Sequence, residues 1–147
     1  MTRVILFLSL FLLAFASCDS EEKQFENELG DIANYIEDNN LDAQSTPSGL
    51  HYVELQQGIG NTSPTLYDNV TVDYVGEYLD GLVFEANQNV SFSLGGVILG
   101  WQEGLQLMVV GDTYLFIIPS RLAYGESGRG SIPADTPLVF EVTLKNF

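Results

Sequence analysis

From Val70 to Glu85 the chain reads as a β-hairpin. Val70, Val72 and Tyr74 alternate with Thr71, Asp73 and Val75, the period-two pattern of a half-buried strand. Leu79-Asp80-Gly81-Leu82 follows, and an Asp-Gly pair between apolar runs is a strong short-range hairpin signal. Val70–Leu79 and Leu82–Glu85 are therefore expected to pair antiparallel. A pair that is apolar on one face needs further strands beside it and an element to cover that face.

The neighbouring sequence supplies both. Leu50 to Gln56 reads as a short strand closed by Gly58 and Gly60, and Phe92 with Leu94 as a brief strand before Gly95-Gly96. Trp101, Leu105 and Met108 fall at i, i+4 and i+7, a helical spacing ended by Gly111-Asp112. Tyr114 to Ile118 is a strand stopped by Pro119. Leu138, Phe140, Val142 and Leu144 alternate with Val139, Glu141 and Thr143 as a long last strand. The fold class expected is α+β, an antiparallel sheet of about five strands wrapped on one short helix. Ahead of it, between Gln24 and Asn40, Phe25, Leu29, Ile32 and Ile36 fall at helical spacings, with Tyr35 beside them. That stripe is expected to dock on the following domain or on a second copy. Ala43 to Gly49 links the helix onward.

Residues 1–17 read as an export signal. Arg3 provides a positive start, and Val4 to Ala16 is apolar except for Ser9, too short for a span of about 20 residues. Phe15-Ala16-Ser17-Cys18 resembles a bacterial lipobox, with Cys18 the expected lipidation site and phenylalanine in place of the usual leucine. Residues 18–45 then form a lipidated tether with its amphipathic helix, and residues 46–147 the folded domain. A lipid anchor would place the protein at the bacterial envelope, at the outer membrane or cell surface rather than the inner membrane.

Composition excludes several chemistries. Cys18 is the lone cysteine and His51 the lone histidine, so no intrachain disulfide and no Cys/His zinc cluster can form. A net charge of −15 with five Lys and Arg argues against a nucleic-acid partner, since phosphates need cations. The calcium-loop candidate at Asp38, Asn40 and Asp42 has Ala43 where glycine is needed and Gly49 where glutamate is needed. No metal or cofactor is expected.

Three stretches, VDYVGEYLDGLVFEA, FSLGGVILGWQEGLQLMVVGD and LAYGESGRGSIPADTPLVFEVTL, resemble the FKBP-type peptidyl-prolyl isomerase family in order and separation. The resemblance covers residues 46–147. It implies a curved sheet wrapped on the short helix, with an aromatic-lined pocket between them. Tyr74, Phe84, Glu85, Ile98, Trp101 and Tyr124 fall at the family's catalytic positions, and Val97, Ile132, Phe140 and Val90 at substrate-binding ones. Trp101 would be the floor under the proline ring. Tyr124 would offer its hydroxyl, and Ile98 its backbone N–H, to peptide carbonyls.

The resemblance also shows departures. Glu85 stands where the family usually has an aspartate networked with the tyrosine here numbered Tyr74, and the family's arginine partner has no counterpart. Val90 occupies a position often held by phenylalanine. Proline-containing polypeptides are the implied clients. Three functions remain open: a foldase for exported proteins, a binding or chaperone module with little turnover, and a structural subunit of an envelope machine.

Overall fold

The computed structural model describes the backbone of residues 5–147 and the side chains of residues 21–147. The expected signal segment 1–17 and the Cys18 side chain lie outside the side chains described. A long helix, α1 (Ile5–Asp38), leads into strands β1 (Gln44–Ser45), β2 (His51–Gln56), β3 (Asn69–Tyr78) and β4 (Val83–Ser93). A short helix, α2 (Leu99–Leu105), precedes β5 (Thr113–Ile118) and β6 (Leu138–Asn146). These strands form one sheet in the order β1-β2-β5-β6-β3-β4, antiparallel throughout. No helix among the described residues is long and apolar enough to cross a membrane.

Strand alternation sorts the two faces. Val70, Val72 and Tyr74 of β3, Phe116 and Ile118 of β5, and Leu138, Phe140, Val142 and Leu144 of β6 point into the main core. Trp101 and Leu105 of α2 fill its centre. The helix lies close to the sheet because two glycines face it. A Cβ on Gly100 would meet Ile118 at 2.6 Å, and one on Gly104 would meet the Phe116 ring at 2.6 Å.

The opposite face of the sheet is covered as well. Ile117 and Val139, both buried, point away from α2 and pack against Ile32 of α1, with Tyr35, Ile36, Leu79 and Leu115 around them. Phe25 and Leu29 reach the Gly49 backbone. The amphipathic stripe thus docks on its own domain.

Several boundaries differ from expectation. The N-terminal helix does not begin at Gln24 but runs unbroken from Ile5, because no proline stands between them and the first glycine is Gly30. The sheet has six strands, the extra one being the two-residue β1. The separate strands expected at Leu82–Glu85 and Phe92–Leu94 are one strand, β4, while Leu94 opens a 3-10 turn, Leu94–Gly96. Two bulges, opposite Val72–Tyr74 and Gly76–Glu77, break its alternation and hide it from a period-two search. Helix α2 stops at Leu105, short of Met108, where the amides of Leu107 and Met108 turn to carbonyls three residues back.

Candidate active site

The cavity of about 690 Å³ opens between the inner sheet face, α2 and the loop before β6. Trp101, 4% exposed, is its floor. Three rings meet the indole edge to face: Tyr74 at 5.1 Å, Phe140 at 5.4 Å and Phe92 at 5.8 Å between centroids. Phe84 meets Phe140 at 5.6 Å and 87°. Edge-to-face contacts suit the ring quadrupoles and fix each ring against its neighbours. Among the described residues, Trp101 Nε1 is the one buried side-chain N or O with no hydrogen-bond partner. Such an orphan donor at the base of a cleft calls for a functional explanation.

Backbone irregularity makes this box possible. The bulge beside Gly76 lets two successive residues, Phe84 and Glu85, both line the cavity. Gly76 leaves the room: a Cβ there would stand 2.6 Å from Phe84 and 2.8 Å from Phe140. Val97 and Ile98 form the strap into α2. The Gln102 side chain secures it, donating to the Val97 carbonyl at 2.8 Å and the Gly95 carbonyl at 3.3 Å. Among the described residues the Ile98 N–H has no acceptor, while its carbonyl receives the amides of Trp101 and Gln102.

The polar side of the cavity centres on Tyr74. Asn87 Nδ2 donates to the Tyr74 hydroxyl at 2.9 Å and to Glu85 Oε1 at 3.2 Å, bridging the two. Burial pushes the Tyr74 phenol up to about 12, and the Glu85 charge adds to this against the opposing Asn87 bond. The phenol is therefore neutral over the physiological range and keeps its proton for donation.

On the other rim, the Arg129 guanidinium lies 5.4 Å from the Tyr124 ring centroid. Arg129 and Ile132 exchange backbone hydrogen bonds of 2.9 Å each, closing the loop that brings Ile132 to the cavity.

Tyr74, Phe84, Glu85, Val97, Ile98, Trp101, Tyr124, Ile132 and Phe140 are all brought together on the cavity lining. Val90 is not among them. It sits opposite Val72 beyond the bulge, half-buried against the core, and Phe92, two residues on, lines the cavity instead. Sequence reasoning also missed Asn87, Gly76 and Gln102. Phe92 was visible as the next inward residue after Val90; the bulge that brings Asn87 inward carried no clear signal.

A family model described as FKBP-type peptidyl-prolyl cis-trans isomerase matches residues 60–145. The chain belongs to this family. An FKBP-type isomerase, FkpA, from Aeromonas hydrophila is 47% identical over 105 residues, covering 69% of this chain and 39% of the relative. A Legionella longbeachae relative named outer membrane protein MIP is 40% identical over 67% of this chain and 44% of its own length. The chain thus spans about two fifths of these relatives. Among solved structures, a Pseudomonas syringae peptidyl-prolyl cis-trans isomerase superposes with a TM-score of 0.75 at 34% identity, covering 86% of this FKBP and 94% of that chain.

Proposed function

We propose that this FKBP catalyses cis/trans isomerisation of X-Pro bonds in exported proteins, at a bacterial envelope to which lipidated Cys18 holds it. The observation that carries the activity is the aromatic box on Trp101, open to solvent and flanked by an uncommitted Ile98 N–H.

Rotation about X-Pro sacrifices amide resonance and meets a barrier of about 18–20 kcal/mol. A twisted imide has lost charge separation, so an apolar, water-poor cavity favours it over the planar amide. The box formed by Trp101, Tyr74, Phe84, Phe92 and Phe140 offers an apolar floor from which a bound proline ring would displace water. Donors that fit the twisted geometry add to the effect, and the Ile98 N–H and Tyr124 hydroxyl, from two residues of the cavity lining, are the donors proposed. A thousandfold acceleration needs about 4 kcal/mol of differential stabilisation. No bond is broken and no proton leaves the substrate.

Exchange of a short Leu-Pro peptide tests this, using the full chain in detergent beside Tyr124→Phe and Trp101→Ala. Acceleration by the wild type, reduced in both variants, is the expected outcome. A folded wild type that binds the peptide without accelerating exchange would leave a binding module instead. Envelope placement rests on the signal-like segment, the lipobox and the name of the Legionella longbeachae relative. Metabolic labelling with a fatty acid should mark the wild type and miss Cys18→Ser, which should leave the membrane fraction; equal partition of both discards the anchor.

A further inference from the structure

One buried carboxylate has no part in the cavity. Glu28 of α1 is 5% exposed, a costly place for a charge unless its oxygens are satisfied. Ser120 satisfies them twice, donating from its backbone N–H at 2.8 Å and its hydroxyl at 2.7 Å across 92 residues of sequence. Beside this contact, the Arg121 guanidinium lies 3.2 Å from the Phe25 ring centroid, and its Nη2 donates to the Ser48 carbonyl at 3.0 Å. Two consecutive residues after β5 are therefore clamped by α1 and the linker that follows it.

Those two residues open the 3-10 turn Ser120–Leu122, and Tyr124 stands two residues past its end. No strand ladder holds this stretch. Its local hydrogen bonds run from Leu122 N–H to the Pro119 carbonyl and from Ala123 N–H to the Ser120 carbonyl. Tyr124 has φ −112° and ψ 0°, the sparsely populated bridge region, which a neighbouring contact must hold in place. A bond from α1 to Ser120 thus reaches the turn that delivers Tyr124 to the cavity, beside Leu122, which packs in the main core. The same linker reaches the floor: Ser48 Oγ donates to Glu103 Oε2 of α2 at 2.7 Å, two residues from Trp101.

We propose that Glu28 is a positioning residue, through which α1 fixes the Tyr124 segment against the cavity. This role rests on the isomerase reading of the cavity, and Glu28 itself touches no substrate. The helix is on this view a working part of the site.

The test uses the full chain in detergent with Glu28→Ala, Glu28→Gln and Ser120→Ala, and exposed Glu26→Gln as control. Amide exchange at Leu122 and Ala123 is expected to rise several-fold in Glu28→Ala, while Phe116 and Val142 stay as in wild type. Glu28→Gln, which keeps one acceptor oxygen, should fall between. In the isomerase assay, the loss of kcat/KM on Tyr124→Phe should be smaller by about twofold or more in the Glu28→Ala background. Unchanged exchange at Leu122 and Ala123, or an undiminished Tyr124→Phe loss, overturns the proposal. If Glu28→Ala does not fold, Ser120→Ala carries the same comparison, since it deletes the hydroxyl bond and keeps the backbone one. A wild type without turnover defeats the isomerase reading alone; exchange at Ala123 and affinity for a proline peptide then still decide the role of Glu28.

Discussion

At the scale of single residues, the cavity depends on an atom that is absent. Gly76 faces Phe84 and Phe140, and both rings are fixed edge to face against the box. Gly76→Ala forces at least one of them to move. Overpacking of this kind costs about 1–3 kcal/mol, so the urea midpoint should fall by that equivalent and proline-peptide affinity should fall with it. An unchanged midpoint with unchanged affinity would show that the rings yield freely. The same scale explains what sequence reading caught and missed. Periodicity put Trp101, Tyr74 and Phe140 on inward faces, and only the family resemblance assigned them to the site. Asn87 was missed because its role comes from a bulge, and a bulge carries no composition signal when its residues are common loop formers. Glu28 was equally hidden, although it falls on the apolar stripe, three residues after Phe25 and four before Ile32, where an acid is out of place.

At the scale of elements, two glycine-containing helices behave in opposite ways. Gly104 of α2 abuts the fully buried Phe116 ring, whereas a Cβ on Gly30 of α1 would have no atom within 4 Å. Gly104→Ala should destabilise by about 1–3 kcal/mol through the clash. Gly30→Ala should stabilise by roughly 0.5–1 kcal/mol, because alanine loses less backbone freedom in a helix. Chemical denaturation of the two variants measures both, and a shared sign would refute the account. The strands of the central sheet were legible where alternation is strict, as in β3 and β6. Strand β4 was legible only at its ends, since Gln88 and Asn89 stand in a bulge without partners on β3 and break the alternation between them. The docking of α1 was half legible: the stripe called for a partner, and the outward-facing Ile117 and Val139 were the partner, overlooked because an antiparallel sheet commonly leaves one face to water.

For the whole molecule, charge is the dominant quantity. The net charge is −15, and the ion pair found among the described residues is Lys145 with Asp73, 3.1 Å apart and partly exposed. Self-repulsion is therefore scarcely offset by local pairing. Raising salt from about 10 to about 150 mM shortens the screening length from roughly 30 to roughly 8 Å. The melting temperature should rise by about 2–4 °C, the equivalent of roughly 1 kcal/mol for a chain of this size. A fall on adding salt would mean that specific attractions outweigh the net repulsion.

The bulges of β4 carry one more consequence. This strand is one of the two edges of the sheet, the one beside the cavity, and a flat edge there would present unpaired backbone groups to any extended chain that arrives. Asn89, with φ +55°, and the second bulge near Val83 interrupt that row, the Asn89 amide turning inward to Asp73 Oδ1 of β3 at 2.7 Å. Unfolded chains would meet a rim unsuited to strand addition. For the foldase proposed above, such a border would keep client chains from pairing onto it.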